Sequence, residues 1–116
     1  MKDGILNVYK EKDYTSFDVV AILRKVLNTK KIGHTGTLDP QAEGVLPICI
    51  GKATKTVDFL TNKEKVYATT FKLGVSTDTQ DHTGVVLQTR SVDCCEEEIR
   101  RVIEGFIGPY LQIPPM

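Results

Sequence analysis

Cysteine is sparse in this chain and badly placed for a framework. There are three: Cys94 and Cys95 are adjacent, Cys49 lies in an apolar run, and no Cys-x-x-Cys occurs. That pattern excludes a disulfide scaffold and a thiolate metal site, and points to reduced thiols. No apolar run approaches the length of a membrane span, and Met1-Lys2-Asp3-Gly4-Ile5-Leu6 lacks the shape of a signal peptide. A cytoplasmic protein with no membrane partner is expected. Net charge is also missing. Fifteen Lys and Arg balance fifteen Asp and Glu, which excludes nucleic-acid binding by bulk charge alone. A local patch is still available. Lys25, Lys30 and Lys31 precede a glycine-rich stretch, and Lys52 and Lys55 follow it. They read either as solvated surface or as phosphate contacts. There is no internal repeat and no low-complexity tract.

What is present is the patterning of one α+β domain, or part of a larger one, in 116 residues. Gly4 to Tyr9 reads as a short buried strand. Thr15-Ser16 opens a helix, with Asp18 in its first turn. Val19, Ile22, Leu23 and Val26 carry its apolar spacing, and Asn28 ends it. Val45 to Ile50 is a second strand, Gly51 breaks it, and Ala53 to Leu60 is a short helix. Lys65 to Gly74 alternates as a strand would, with Tyr67, Thr69, Phe71 and Leu73 on one face. Ser76 to Gly84 is a polar turn and Val85 to Thr89 a further strand. Asp93 and Glu96 form a capping box before a helix bearing Ile99, Val102, Ile103 and Phe106.

Between the first helix and the second strand runs Gly33-His34-Thr35-Gly36-Thr37-Leu38-Asp39-Pro40-Gln41-Ala42-Glu43-Gly44-Val45-Leu46. Three glycines and a proline make an ordinary strand or helix there unexpected. A carboxylate, Asp39, stands before the proline, with His34 five residues upstream. An isolated Asp-Pro is usually a turn. Glu43, four residues on, raises a paired-carboxylate glycosidase, but Pro40 and Gly44 make a facing geometry doubtful. Gly51-Lys52-Ala53-Thr54 resembles the tail of a P-loop, but Leu46 stands where that motif requires glycine.

The fourteen residues resemble the catalytic motif of the pseudouridine synthases of the TruB type, and the likeness extends over nearly the whole chain. It includes Thr15-Ser16-Phe17-Asp18-Val19-Val20, Lys65-Val66-Tyr67, the Thr77-Asp78-Thr79 loop and Gln112-Ile113-Pro114-Pro115. The resemblance implies isomerisation of uridine 55 in the T-loop of tRNA, with the T-arm stem-loop as partner. It implies a mixed, mostly antiparallel sheet flanked by helices. By the same resemblance Asp39 is the catalytic aspartate. His34 would stack where the base has flipped out, and Tyr67 would stack on that base. Thr35, Gly36, Thr37 and Leu38 would line the RNA. Product and substrate are isomers, so no cofactor is needed. The Thr77 to Gly84 loop lacks calcium-loop spacing, so no metal is assigned. A carboxylate is ionised at neutral pH. It is competent for three openings: attack on the sugar, attack on the base, or removal of a sugar proton.

One departure stands out. The family's Lys-Pro-x-Gly before the first helix is here Lys10-Glu11-Lys12-Asp13. In the family, Gln-x-Pro-Pro-x is followed by more of the catalytic domain. Residues 1–116 are therefore expected to be its N-terminal part. The rest of that domain, an arginine partner for the aspartate and any C-terminal RNA-binding domain would lie elsewhere. A full-length enzyme is expected to be monomeric, and this piece alone inactive and prone to self-association. Two rivals are weighed. Gly33-His34-Thr35-Gly36 matches the GxxG loop of a KH-type RNA-binding module, which runs into a helix. The chain would alternatively serve as the catalytic subunit of an RNA-guided ribonucleoprotein.

Overall fold

The computed structural model describes residues 2–114. Expectations resting on Pro115 and Met116 lie outside the described residues. The chain divides into two compact units, Met1–Val66 and Tyr67–Met116.

The first unit is a helix on a three-stranded antiparallel sheet. Strand β1 (Gly4–Lys10), helix α1 (Ser16–Val26), strand β2 (Ile32–His34) and strand β3 (Gly44–Ile50) follow in order. β3 is central, between β1 and β2. β1 lies antiparallel to it with Gly4 opposite Ile50 and Lys10 opposite Gly44. A 3-10 turn (Gly51–Thr56) and helix α2 (Val57–Thr61) close the unit. Gly51 makes this abrupt change with φ of 63°, a left-handed value that glycine adopts without penalty. The core is Val19 and Val20 of α1, Ile32 of β2, and Leu46 and Ile48 of β3. Val8, Leu23, Leu38 and Ile50 pack around it.

α1 starts where the sequence says it should. The Thr15 hydroxyl accepts from Asp18 N–H at 3.0 Å, and the Asp18 carboxylate accepts from Thr15 N–H at 2.7 Å. This reciprocal box satisfies two donors that would otherwise be orphaned. It also holds the Asp18 carboxyl below its ordinary range, first through the Thr15 hydroxyl and then through the Thr15 backbone. The helix ends at Leu27, followed by Asn28 with φ of 47°. Its buried stripe differs from the expected one. Ser16, Val19 and Val20 are buried, whereas Ile22 and Val26 are exposed. The sheet beneath is narrow, so one helix face covers it and Ile22 and Val26 fall on the flank. β1 is likewise no buried strand: Ile5, Leu6 and Tyr9 are exposed. It pairs on one side only.

The second unit has strands β4 (Val75–Thr77) and β5 (Val86–Thr89) in an antiparallel pair, and helix α3 (Glu96–Glu104). Lys65 to Gly74 is not a strand. Alternation makes a strand only where a neighbour supplies N–H and C=O groups, and among the described residues only Gly74, at its end, has such a partner, accepting from Arg90 N–H at 2.7 Å. The capping box of α3 is two residues later than expected. Cys95 N–H donates to Glu98 Oε2 at 3.0 Å, while Asp93 accepts from the Ser91 hydroxyl. The Thr-Asp-Thr loop is built by Asp81. Its carboxylate accepts from the Thr79 hydroxyl and Thr83 N–H at 2.8 Å each. Bonds from Thr83 above all, then Thr79, pull its pKa from 3.8 to about 2. The loop supports its own turn, as expected of it.

Every described strand pair is antiparallel, and the α+β class holds. No helix among the described residues is long and apolar enough to cross a membrane.

Candidate active site

The loop that carries Asp39 leaves the sheet because of Pro47. Proline in a central strand costs a ladder donor. The Pro47 carbonyl accepts both the N–H and the hydroxyl of Thr35, at 3.1 Å each. In a strand, a residue's N–H and C=O point to the same side. The missing donor of Pro47 is therefore the one that would have held the Thr35 carbonyl. The β2–β3 ladder stops at His34 opposite Ile48, and the chain turns away. Residues 33–34 do form a strand, contrary to expectation, because β3 supplies the partner.

Beyond Thr35 the loop is tied down at several points. His34 Nδ1 donates to the Gly36 carbonyl at 2.9 Å, which fixes the ring's tautomer, since a carbonyl only accepts. Leu38 N–H donates to the Ser16 hydroxyl at 2.9 Å, and that hydroxyl donates back to the Leu38 carbonyl at 3.3 Å. Ser16 is 3% exposed, so the first turn of α1 grips the residue before Asp39. Ala42 N–H donates to the Asp39 carbonyl at 2.9 Å, closing a turn with Pro40 at its second position. Asp13 N–H, from a residue with φ of 71°, donates to the Pro40 carbonyl at 2.7 Å. Lys65 Nζ donates to the Thr37 carbonyl at 3.2 Å. It crosses so close to Gly36 that a Cβ there would meet Lys65 Cε at 3.1 Å. A side chain at position 36 would make this lysine give way by a few tenths of an ångström.

In contrast to its anchored backbone, the Asp39 side chain is exposed, and its carboxylate meets no donor or cation among the described residues. The loop thus presents a free anion on a held frame. Thr35 is 6% exposed and serves the sheet, Gly36 is buried, Leu38 leans on the core and His34 is half-buried. Thr37 is exposed. Tyr67, in the second unit, is 58% exposed. Glu43 does not pair with Asp39. It lies beside Tyr9, whose hydroxyl is raised above 10 by desolvation first and then by the Glu43 charge. No helix follows Gly33–Gly36 before β3 begins, which removes the KH-type reading.

Lys10 is the residue that the sequence left without a role. It is 1% exposed, and its ammonium donates to the Tyr14 carbonyl at 2.6 Å and the Glu11 carbonyl at 3.0 Å. This cation holds the 11–14 bend. Lys10→Met should lower stability by about 1–3 kcal/mol, because two carbonyls lose their donor. Urea unfolding checks this; an unchanged midpoint would mean that water replaces the ammonium.

The family described as "TruB family pseudouridylate synthase (N terminal domain)" matches residues 24–116. The chain belongs to this family. It is 54% identical over 114 residues to tRNA pseudouridine synthase B of Alkaliphilus oremlandii, covering 98% of this chain and 38% of the relative. It is 53% identical over 119 residues to the enzyme of that name from Staphylococcus aureus strain JH9, covering 100% of the chain and 39% of the relative. The chain thus spans about two fifths of the length of these curated relatives. Among solved structures, a Cbf5-Nop10-Gar1 complex aligns with TM-score 0.64 and 31% identity, over 97% of this chain and 29% of that one. An archaeal box H/ACA sRNP Nop10-Cbf5 complex aligns with TM-score 0.62 and 30% identity, over 94% and 30%. The TruB-family membership accounts for the loop's long, fixed order of residues. Sequence reading singled out Asp39 and missed the anchors of its loop. Ser16 is 22 residues from its partner Leu38, and Lys65 is 28 from Thr37.

Proposed function

We propose that this chain is the catalytic-loop portion of a cytoplasmic tRNA pseudouridine synthase that acts on uridine 55 of the T-arm stem-loop. The observation that carries the reading is the Asp39 carboxylate, exposed and unpaired on a loop whose backbone is anchored on both sides, in a chain of the TruB family. In the reaction the N1–C1′ bond of the nucleoside breaks, the base turns, and a C5–C1′ bond forms. A proton leaves C5 and N1 gains one, so atoms and electrons balance without a cofactor. Asp39 opens the reaction, His34 fills the stack the base leaves, and Tyr67 packs on the flipped base. The anchored backbone limits how far Asp39 must be ordered when RNA binds, which lowers the entropy lost on reaching the reactive geometry.

The RNA-guided alternative has less support. Identity to the Cbf5 chains is 30–31%, against 53–54% to the tRNA pseudouridine synthases B. Loss of the C5 proton gives a direct assay. Protein of full family length carrying this chain should release tritium from a T-arm stem-loop labelled at C5 of its uridines. No release, with the RNA bound, would overturn the reading.

A further inference from the structure

At the C-terminal end of α1 lies a cleft of about 640 Å³, lined by Ala21, Arg24, Lys25, Asn28, Thr29 and Lys30. Three of the six are cations and none is an acid. The end of a helix carries roughly half a negative charge, which one cation more than neutralises; no acid lines the cleft to balance the other two. Arg24 is already oriented. Its Nη2 donates to the Ile32 carbonyl at 3.3 Å, and its guanidinium carbon lies 6.0 Å from the centre of the Phe17 ring. Its Nε is shut off from solvent and has no hydrogen-bond partner among the described residues. Arg24 as a whole is part-exposed, and a phosphate oxygen is a fitting acceptor for the rest of its guanidinium.

We propose that this cleft, ringed by Arg24, Lys25 and Lys30, docks a backbone phosphate of the RNA substrate. The proposal rests on the reading of the chain as an RNA-modifying enzyme. Position favours the substrate over a free anion. The Ile32 carbonyl that holds Arg24 belongs to β2, and His34 lies two residues on, about 7 Å along a strand. RNA reaching His34 therefore passes close to the cleft. The other lysines flanking the loop divide accordingly. Lys52 is matched by Asp3, which lies 3.8 Å from its Nζ and accepts from its backbone N–H at 2.7 Å. It has less charge to offer a phosphate than Lys25 or Lys30.

The test is RNA binding by protein of full family length over a salt series, with the T-arm stem-loop as probe. Lys25 and Lys30 are exposed, so Lys25→Ala/Lys30→Ala leaves the core intact. It should weaken binding about tenfold, the worth of one charged hydrogen bond. The slope of log affinity against log salt should fall by about 1. The single-turnover rate at saturating RNA should not change, because the cleft holds RNA and does not touch the reacting base. Arg24→Lys keeps the charge but loses the planar fork of donors, and should give a smaller loss of affinity. Affinity and slope within twofold of wild type in the double variant would overturn the proposal. So would inorganic phosphate binding at the cleft with RNA affinity untouched. Failure of the isomerase reading is separate: it would appear as absent tritium release in the wild type, whatever the salt slope.

Discussion

Asp39→Asn should abolish turnover and leave the protein folded and able to bind RNA. The side chain contributes nothing to the fold that asparagine cannot replace. Its carboxylate accepts no hydrogen bond among the described residues, and the turn at Pro40 uses the Asp39 backbone carbonyl, which the variant keeps. The loop stays anchored through Ser16, Thr35 and Asp13. What is lost is the negative charge that, on the proposed function, opens the reaction. A fall of at least about 10³-fold in single-turnover rate is expected, some 4 kcal/mol of barrier. RNA affinity should change less than twofold. More than a tenth of wild-type tritium release would remove Asp39 from the chemistry.

Tyr67 gives the second large effect, split between two variants. Its ring is more than half exposed, and no described residue bonds its hydroxyl. The fold therefore has no hold on it, and an RNA base is free to use it. Tyr67→Ala should weaken RNA binding by about 1–3 kcal/mol, the worth of one base–aromatic stack, and slow turnover as well. Tyr67→Phe should bind normally and stall late, because the ring remains and the hydroxyl, the group we propose takes part in moving the C5 proton, is gone. Normal turnover in both would return Tyr67 to an ordinary surface tyrosine.

Local signals were legible and distant ones were not. The start of α1 could be read because the capping box lies within four consecutive residues, Thr15 to Asp18. β3 could be read from its apolar run. β2 could not, since Ile32-Gly33-His34 has no strand pattern of its own and exists because β3 pairs with it. The opposite error arose at Lys65 to Gly74, where alternation was present and only Gly74, at the end, has a backbone partner among the described residues. At α3 the sequence pointed to Asp93 with Glu96, whereas the backbone uses Cys95 with Glu98, a cap of lower intrinsic preference. The stripe on α1 slipped because spacing sets a helix face but not which neighbours cover it. Asp39 stood out by its motif. The buried ammonium of Lys10 and the crossing of Lys65 over Gly36 are set by folding alone.

The most direct measurement is the position of the product. Unmodified tRNA is incubated with protein of full family length carrying this chain, and pseudouridine is mapped nucleotide by nucleotide. The account predicts conversion of uridine 55 in the T-loop, with the other uridines unchanged. Pseudouridine at other positions with uridine 55 untouched, or none at all on RNA that the protein binds, would contradict it.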